Sequence, residues 1–340
     1  EESLNSRASS AFFVCKLSII IYKVQISCNS ACISEGSVIS YPTMILKDRK
    51  GKRVMLQLFT DTSANLPVAL TKKHHITVIP FSYTVDGKAT DYPDDTDFDG
   101  AAFYGAMREG AIVKTSMVSP ALIEEYFERA LSAGDDVLYV GMSGGISGTA
   151  HAAVIAAGEL KERYPERRIL PINTYAASLG EGMQVMEAAR MIEEGKSLEE
   201  IEKQLLTRRP HMCQFFTVDD LAYLKRGGRI SGATALIGTV LSIKPILRGD
   251  ETGHIVSCGK VRGMKRAYAE LANYFDTRAL DKSESIGIAH ADNAEGAQAL
   301  LALLREKGFT GECLTVCYEP VTGAHVGPGT VALFFYGTEK

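Results

Sequence analysis

From Val54 onward, short apolar or β-branched runs alternate with longer stretches whose apolar residues recur at helical spacing, and this alternation constrains the chain more than any other feature. VMLQLFTD, starting at Val54, reads as a buried parallel strand ending at a polar loop. HHITVIPFSYTVDGK supplies two strand pieces closing on the Asp86-Gly87 turn. PDDTDFDGAAFYGAMREG has acids suited to a helix start and stops on Gly110, and SPALIEEYFERALSAG has a Ser-Pro start and a glycine stop. DDVLYVGM and RILPINT are strands, each followed by a helix. Repeated units of this kind build a parallel sheet covered by helices.

The rhythm changes near His211. A strand, a short helix and a glycine break in CQFFTVDDLAYLKRGGRIS precede the apolar TALIGTVLSIKPILRGD and a turn-rich segment. Two helices with ESIGIAHA between them follow, then two closing strands, GECLTVCYEP and TVALFFYG. The expected fold class is α/β: a parallel-sheet domain over residues 54–211 and an α+β domain with a mixed or antiparallel sheet over 212–340.

Residues 1–53 look foreign to this pattern. The apolar runs AFFVC and LSIIIY are broken by Lys16 and Lys23, and neither reaches the roughly 20 residues a membrane helix needs. The segment opens Glu1-Glu2, without an initiator Met, so Met44 or Met55 is a natural start and 1–53 is expected to have no folded role. A formal charge of −4 without basic clusters argues against a nucleic-acid partner. The seven cysteines form no metal-binding set and read as free or buried thiols of a reducing cytoplasm.

Polar clusters fall at the ends of the expected strands: Asp61-Thr62-Ser63, Thr115-Ser116-Met117-Val118-Ser119, Ser143-Gly144-Gly145-Ile146-Ser147-Gly148-Thr149, and His325-Val326-Gly327-Pro328-Gly329-Thr330. Ligands of open α/β sheets bind where such loops converge. In the third cluster glycines let backbone N–H groups approach a ligand, a helix start adds positive potential, and Ser143, Ser147 and Thr149 add hydroxyls. That suits a carboxylate or phosphate, although the lysine of a P-loop is missing. GMSGG is also a literal nucleophile-elbow pattern, and Ser143, Asp292 and His325 run in the order of a hydrolase triad. Against a serine esterase, four residues separate Ser143 from a convincing helix, and Asp292 looks like a helix cap supported by Glu295. His325 is expected to be fixed by a tight Gly-Pro-Gly loop. Arg226-Gly227-Gly228-Arg229 reads as an exposed basic hairpin, and Arg262 and Arg266 form a second basic group.

In order, DTSANLP, KTSMVSP, ISGTAHAA, DLAYLKRGGRIS with SIKPIL, and HVGPGTVALFF resemble the DegV family, the fatty-acid-binding subunits of the bacterial fatty acid kinase system, from about Val54 to Gly337. The resemblance implies a non-enzymatic carrier without cofactor or metal, cytoplasmic and not inserted in a membrane. One long-chain fatty acid would lie between two domains, and a partner fatty acid kinase would phosphorylate its carboxylate, feeding phospholipid synthesis. Carried over by motif, the carboxylate contacts are Thr115, Ser116, Ser147, Gly148 and His325, with Asp61, Ser143 and Thr149 supporting them. Arg226, Arg229 and Arg262 are candidates for meeting the kinase. Gly144, Ala150 and Met117 depart from the residues more usual in the family motifs. Burying a methylene is worth about 0.8 kcal/mol, so a tail of about sixteen carbons has roughly 12 kcal/mol available before ordering costs. The carboxylate must recover its desolvation through hydrogen bonds.

Overall fold

The first described strand, β1 (Ile45–Lys47), pairs antiparallel with the start of β2 (Arg53–Asp61), so strand pairing begins ahead of Val54. The structure is a computed structural model that describes residues 45–47, 53–91, 98–230 and 242–340. The expectation for most of residues 1–53, and that for residues 231–241 of the apolar segment, lies outside the described residues. After β2 come α1 (Val68–Lys73), β3 (Ile76–Ile79), β4 (Ser82–Val85), β5 (Lys88–Asp91), α2 (Gly100–Arg108), β6 (Val113–Ser116) and α3 (Pro120–Ser132). Next are β7 (Asp136–Gly141), α4 (Thr149–Arg163), β8 (Ile169–Asn173), α5 (Leu179–Glu193) and α6 (Leu198–Arg208).

Strands β3, β2, β7 and β8 run parallel side by side. Side chains alternate across a strand, so β2 serves two helix layers at once. Leu56 and Leu58 pack with Val185, Ala188, Ile201 and Leu205 of α5 and α6, whereas Phe59 packs with Ile123, Phe127, Ala153 and Leu160 of α3 and α4. The helix starts follow ordinary capping chemistry. Ser119 accepts from Leu122 N ahead of Pro120, and Ser197 and Glu200 form a reciprocal capping box on α6. Strands β4, β5 and β6 make a small antiparallel sheet whose β4–β5 turn uses positive φ at Asp86 and Gly87 (51° and 79°).

The remaining elements are β9 (Met212–Thr217), α7 (Ala222–Gly227), β10 (Ile243–Gly249), β11 (Ile255–Arg262), α8 (Met264–Arg278), β12 (Ile286–His290), α9 (Ala294–Glu306), β13 (Cys313–Cys317), α10 (Pro320–Val326) and β14 (Val331–Tyr336). They build a mixed sheet in the order β11-β10-β9-β14-β12-β13, with β12 and β13 its parallel pair. Phe215 of β9 faces Leu271 and Phe275 of α8, while Phe216 points the other way, into a cluster with Leu179, Leu247, Phe334 and Tyr104. Apolar side chains of both sheet systems meet in that second cluster.

Three local expectations change. Asn293, not Asp292, caps α9 by accepting from Gly296 N, and Asp292, at φ 49°, accepts from Arg108 instead. The Gly227-Gly228 pair forms no hairpin: Gly228 (φ 70°) closes the C-terminus of α7 in the left-handed conformation. His325 does not ride on the Gly-Pro-Gly loop but on the last turn of α10, which the sequence reading missed.

Candidate functional site

A cavity enclosing about 790 Å³ of empty space, open solvent at its mouth included, is bordered by the end of β6, the loop after β7 and strands of the mixed sheet. Its walls are mostly apolar, with Phe81, Met142, Ile146, Phe216, Ile255 and Phe334 among them. Polar side chains enter it from four places.

Thr115 and Ser116 come from the end of β6, Ser147 from the loop after β7, Arg229 from beyond α7, and His325 from α10; all line the cavity. His325 Nε2 and Thr115 Oγ1 lie 2.9 Å apart, which joins α10 to β6. Glu319 sets this geometry by capping α10: its carboxylate accepts from Val321 N at 2.5 Å and Thr322 N at 2.6 Å, with Pro320 at the first helical position. At the other side of the imidazole, a Cβ on Gly227 would sit 2.2 Å from His325 Nδ1, so only glycine leaves the ring its place. Burial, helped by the positive charge of Arg229, pulls the His325 pKa down to about 4. The imidazole is therefore neutral near pH 7.

Ser147 Oγ lies 3.0 Å from Thr149 Oγ1 and accepts from Thr149 N at 3.3 Å, and Thr149 Oγ1 accepts from Val118 N at 3.2 Å. This hydroxyl chain ties the start of α4 to the loop after β6. Gly148 is the residue ahead of α4, and a Cβ there would meet Met117 Sδ at 2.6 Å. Gly148 and Thr149 thus stand behind the wall and position Ser147. Ser143 is also behind it: fully buried, its Oγ donates to Gly253 O (2.8 Å) and accepts from Gly145 N (3.1 Å).

The triad suggested by GMSGG is not assembled. Ser143 bonds Gly253, Asp292 bonds Arg108, and His325 bonds Thr115.

Asp61 is enclosed beneath the site. It accepts from Ser63 N, Ser63 Oγ, Tyr139 OH and Met142 N, at 3.0, 2.6, 2.6 and 3.2 Å. Sequence reasoning missed its neighbour Glu181, which is likewise buried and bonds Ser63 Oγ and Thr60 Oγ1. One hydroxyl carries one proton. Ser63 has one proton for two carboxyls, and Asp61 already accepts from two backbone N–H groups and Tyr139 OH, so the further proton falls to Glu181. Burial and the charge on Asp61 push the Glu181 pKa well above the ordinary range, in keeping with that proton. The buried Glu319, whose pKa burial raises to about 7, was missed too. Buried carboxylates on helical patterns look like solvated ones in a sequence; Pro320 was the only local sign of α10.

Of the three arginines, Arg226 and Arg262 are exposed, with Arg226 over the Tyr223 ring at 4.8 Å. Arg229 was expected on an exposed hairpin, yet it is half-buried and turns inward. Its Nε donates to Ile146 O at 3.2 Å and its Nη1 to Gly227 O at 2.5 Å, because the glycine cap of α7 reverses the chain. Its guanidinium is the only formal charge at neutral pH among the described lining residues.

The loop Thr174–Ser178 closes another part of the wall. Tyr175 and Ser178 hold positive φ (54° and 52°), which costs a non-glycine residue on the order of 1–3 kcal/mol. Gln214 of β9 fixes this loop, its Nε2 donating to Tyr175 O (2.9 Å) and its Oε1 accepting from Ala177 N (3.1 Å).

An α/β protein with a parallel sheet, a mixed sheet and an apolar cavity carrying hydroxyl, imidazole and guanidinium groups is the class that fold and site define. Residues 55–338 match the family model described as "Uncharacterised protein, DegV family". A DegV domain-containing protein of Clostridium perfringens is 38% identical over 286 residues, covering 83% of this chain and 98% of that one. A solved DegV family protein from Thermus thermophilus, described for its fatty acid binding, superimposes with a TM-score of 0.76 at 32% identity, covering 83% of this chain and 99% of its own. DegV of Bacillus subtilis, described as a fatty acid binding protein, gives 0.71 at 27% identity, with 82% and 98% covered. The chain belongs to the DegV family. No helix among the described residues is long and apolar enough to cross a membrane.

Proposed function

We propose that this protein binds one long-chain fatty acid in this cavity, with the tail against the apolar walls and the carboxylate at Thr115, Ser147 and His325. The observation that carries this reading is the Thr115–His325 pair, polar and neutral, set in the wall of an otherwise apolar cavity. Relatives from Thermus thermophilus and Bacillus subtilis described as fatty-acid binders support it. Affinity then resides in the tail and orientation in the polar groups, with the Arg229 guanidinium favouring an anion.

The protein acts as a carrier and not as a catalyst. It presents the carboxylate to a cytoplasmic fatty acid kinase subunit, which transfers phosphate to it and so feeds phospholipid synthesis. The exposed Arg226 and Arg262 are the docking candidates for that partner. Lipid-loaded protein, a fatty acid kinase subunit and ATP should together yield an acyl phosphate that hydroxylamine traps as a hydroxamate. Absence of hydroxamate from protein shown to carry lipid would remove the kinase partnership while leaving fatty-acid binding untouched.

A further inference from the structure

A second hollow, with about 540 Å³ of empty space counting open solvent at its mouth, is bounded by Tyr175, Arg209, Pro210, Glu251, Glu339 and Lys340. Its two cations differ from other enclosed cations of the protein. Arg167, Arg208 and Lys244 are salt-bridged to Asp136, Glu187 and Asp219 respectively. Lys340 is only 7% exposed, and its Nζ is enclosed with no hydrogen-bond partner. Arg209 Nε is enclosed and unpartnered as well, although Nη1 of the same residue donates to Asn173 O at 2.9 Å.

The rim glutamates are exposed and engaged with other cations, Glu251 with Arg248 (3.2 Å) and Glu339 with Arg278 (3.5 Å), so Glu251, together with Asp250, offsets the Lys340 charge only in part. Both free cations lie over the ring of Tyr175, the guanidinium 4.1 Å and the ammonium 5.6 Å from its centroid. Such contacts recover only part of what an enclosed charge costs. Two unpartnered N–H donors of like charge on residues that bound one hollow are the arrangement an oxyanion completes.

We propose that this hollow is a phosphate-binding site in which Arg209 Nε and Lys340 Nζ hold a dianionic phosphate, free or as a small monoester, against the Tyr175 ring. A phosphate offers an oxygen to each of the two donors at once. Burial and the neighbouring Arg209 charge push the Lys340 amine down to about 8, and a bound dianion offsets the second cause. Tyr175 belongs to the strained loop whose Ala176 and Ala177 line the first cavity.

The test is a calorimetric titration of inorganic phosphate, and separately of methyl phosphate, into the full chain at fixed ionic strength, with chloride as the control. One saturable site is expected for both phosphates, at least tenfold weaker in Lys340→Met and in Arg209→Met. Phosphate should also slow acetylation of Lys340 in the unmutated protein, a readout that survives if a variant misfolds. Binding of inorganic phosphate alone would restrict the site to the free ion. No saturable heat in the unmutated protein, or undiminished affinity in a folded variant, overturns the proposal. An acetylation rate indifferent to phosphate overturns it equally.

Discussion

His325 on α10 and Thr115 on β6 meet at 2.9 Å across the wall of the large cavity, although 210 residues separate them in the chain. Deleting that imidazole removes one hydrogen bond, worth on the order of 1 kcal/mol, and leaves the apolar walls intact. His325→Ala should therefore retain fatty acid within about fivefold of the unmutated protein, while acyl phosphate formation falls far more. Ser147→Ala should behave in the same sense. The check is lipid content by mass spectrometry beside the hydroxamate yield. A folded variant that purifies empty yet couples fully to the kinase would reverse the roles assigned to tail and head.

Burial of His325 also leaves a mark on stability. Its folded pKa is about 4 against about 6.5 unfolded, so between those values the unfolded chain binds more protons. Stability should fall as pH drops from 6.5 towards 4, by up to about 3 kcal/mol from this group. Denaturant melts of His325→Gln between pH 7 and 4 should show a shallower loss, and an unchanged slope would contradict the neutral imidazole.

Glu181 gives the opposite sign. Its folded pKa is raised, so its contribution is complete below the ordinary carboxylate range and is lost as pH rises towards the folded value. Glu181→Gln, which keeps an N–H donor towards Ser63 and brings no charge to bury, should be more stable than the parent at pH 7 and less sensitive to pH. Asp61→Asn should instead lose about 3 kcal/mol or more, because an amide nitrogen would face donors that now bond a carboxylate. Thermal melts of both variants across pH 5–8 decide the assignment, and a Glu181→Gln variant no more stable than the parent at pH 7 would contradict it.

Much of this architecture was legible. Apolar runs ending in polar loops marked the parallel strands, and five ordered motifs brought Thr115, Ser116, Ser147 and His325 forward, all of which line one cavity. What stayed hidden depends on contacts distant in sequence. Glu181 sits on an amphipathic helix like any surface glutamate until Ser63 and Asp61 are placed beside it. Arg229 looks solvated until the left-handed Gly228 turns it towards Ile146. The apolar cavity walls gather single residues from many elements, and no local pattern announces them.

Gly227 tests how tightly the imidazole is held. A methyl group there would overlap His325 Nδ1, so Gly227→Ala should displace the ring and reproduce most of the His325→Ala loss in acyl phosphate yield. Full yield from Gly227→Ala would mean that the position of the ring is unimportant.

Ser143 separates carrier from hydrolase. Its hydroxyl is buried and donates to Gly253 O, away from His325. A fluorophosphonate should leave it unlabelled, and chromogenic esters should not be turned over; labelling at Ser143 would favour the hydrolase.

The most direct measurement is solvent extraction of the purified protein followed by mass spectrometry of what comes out. One long-chain fatty acid per protein chain is expected, displaced when bulky side chains replace Ala176 and Ala177 on the cavity wall. A protein that is folded, carries no lipid and takes up none when offered fatty acid would contradict the assignment of this cavity.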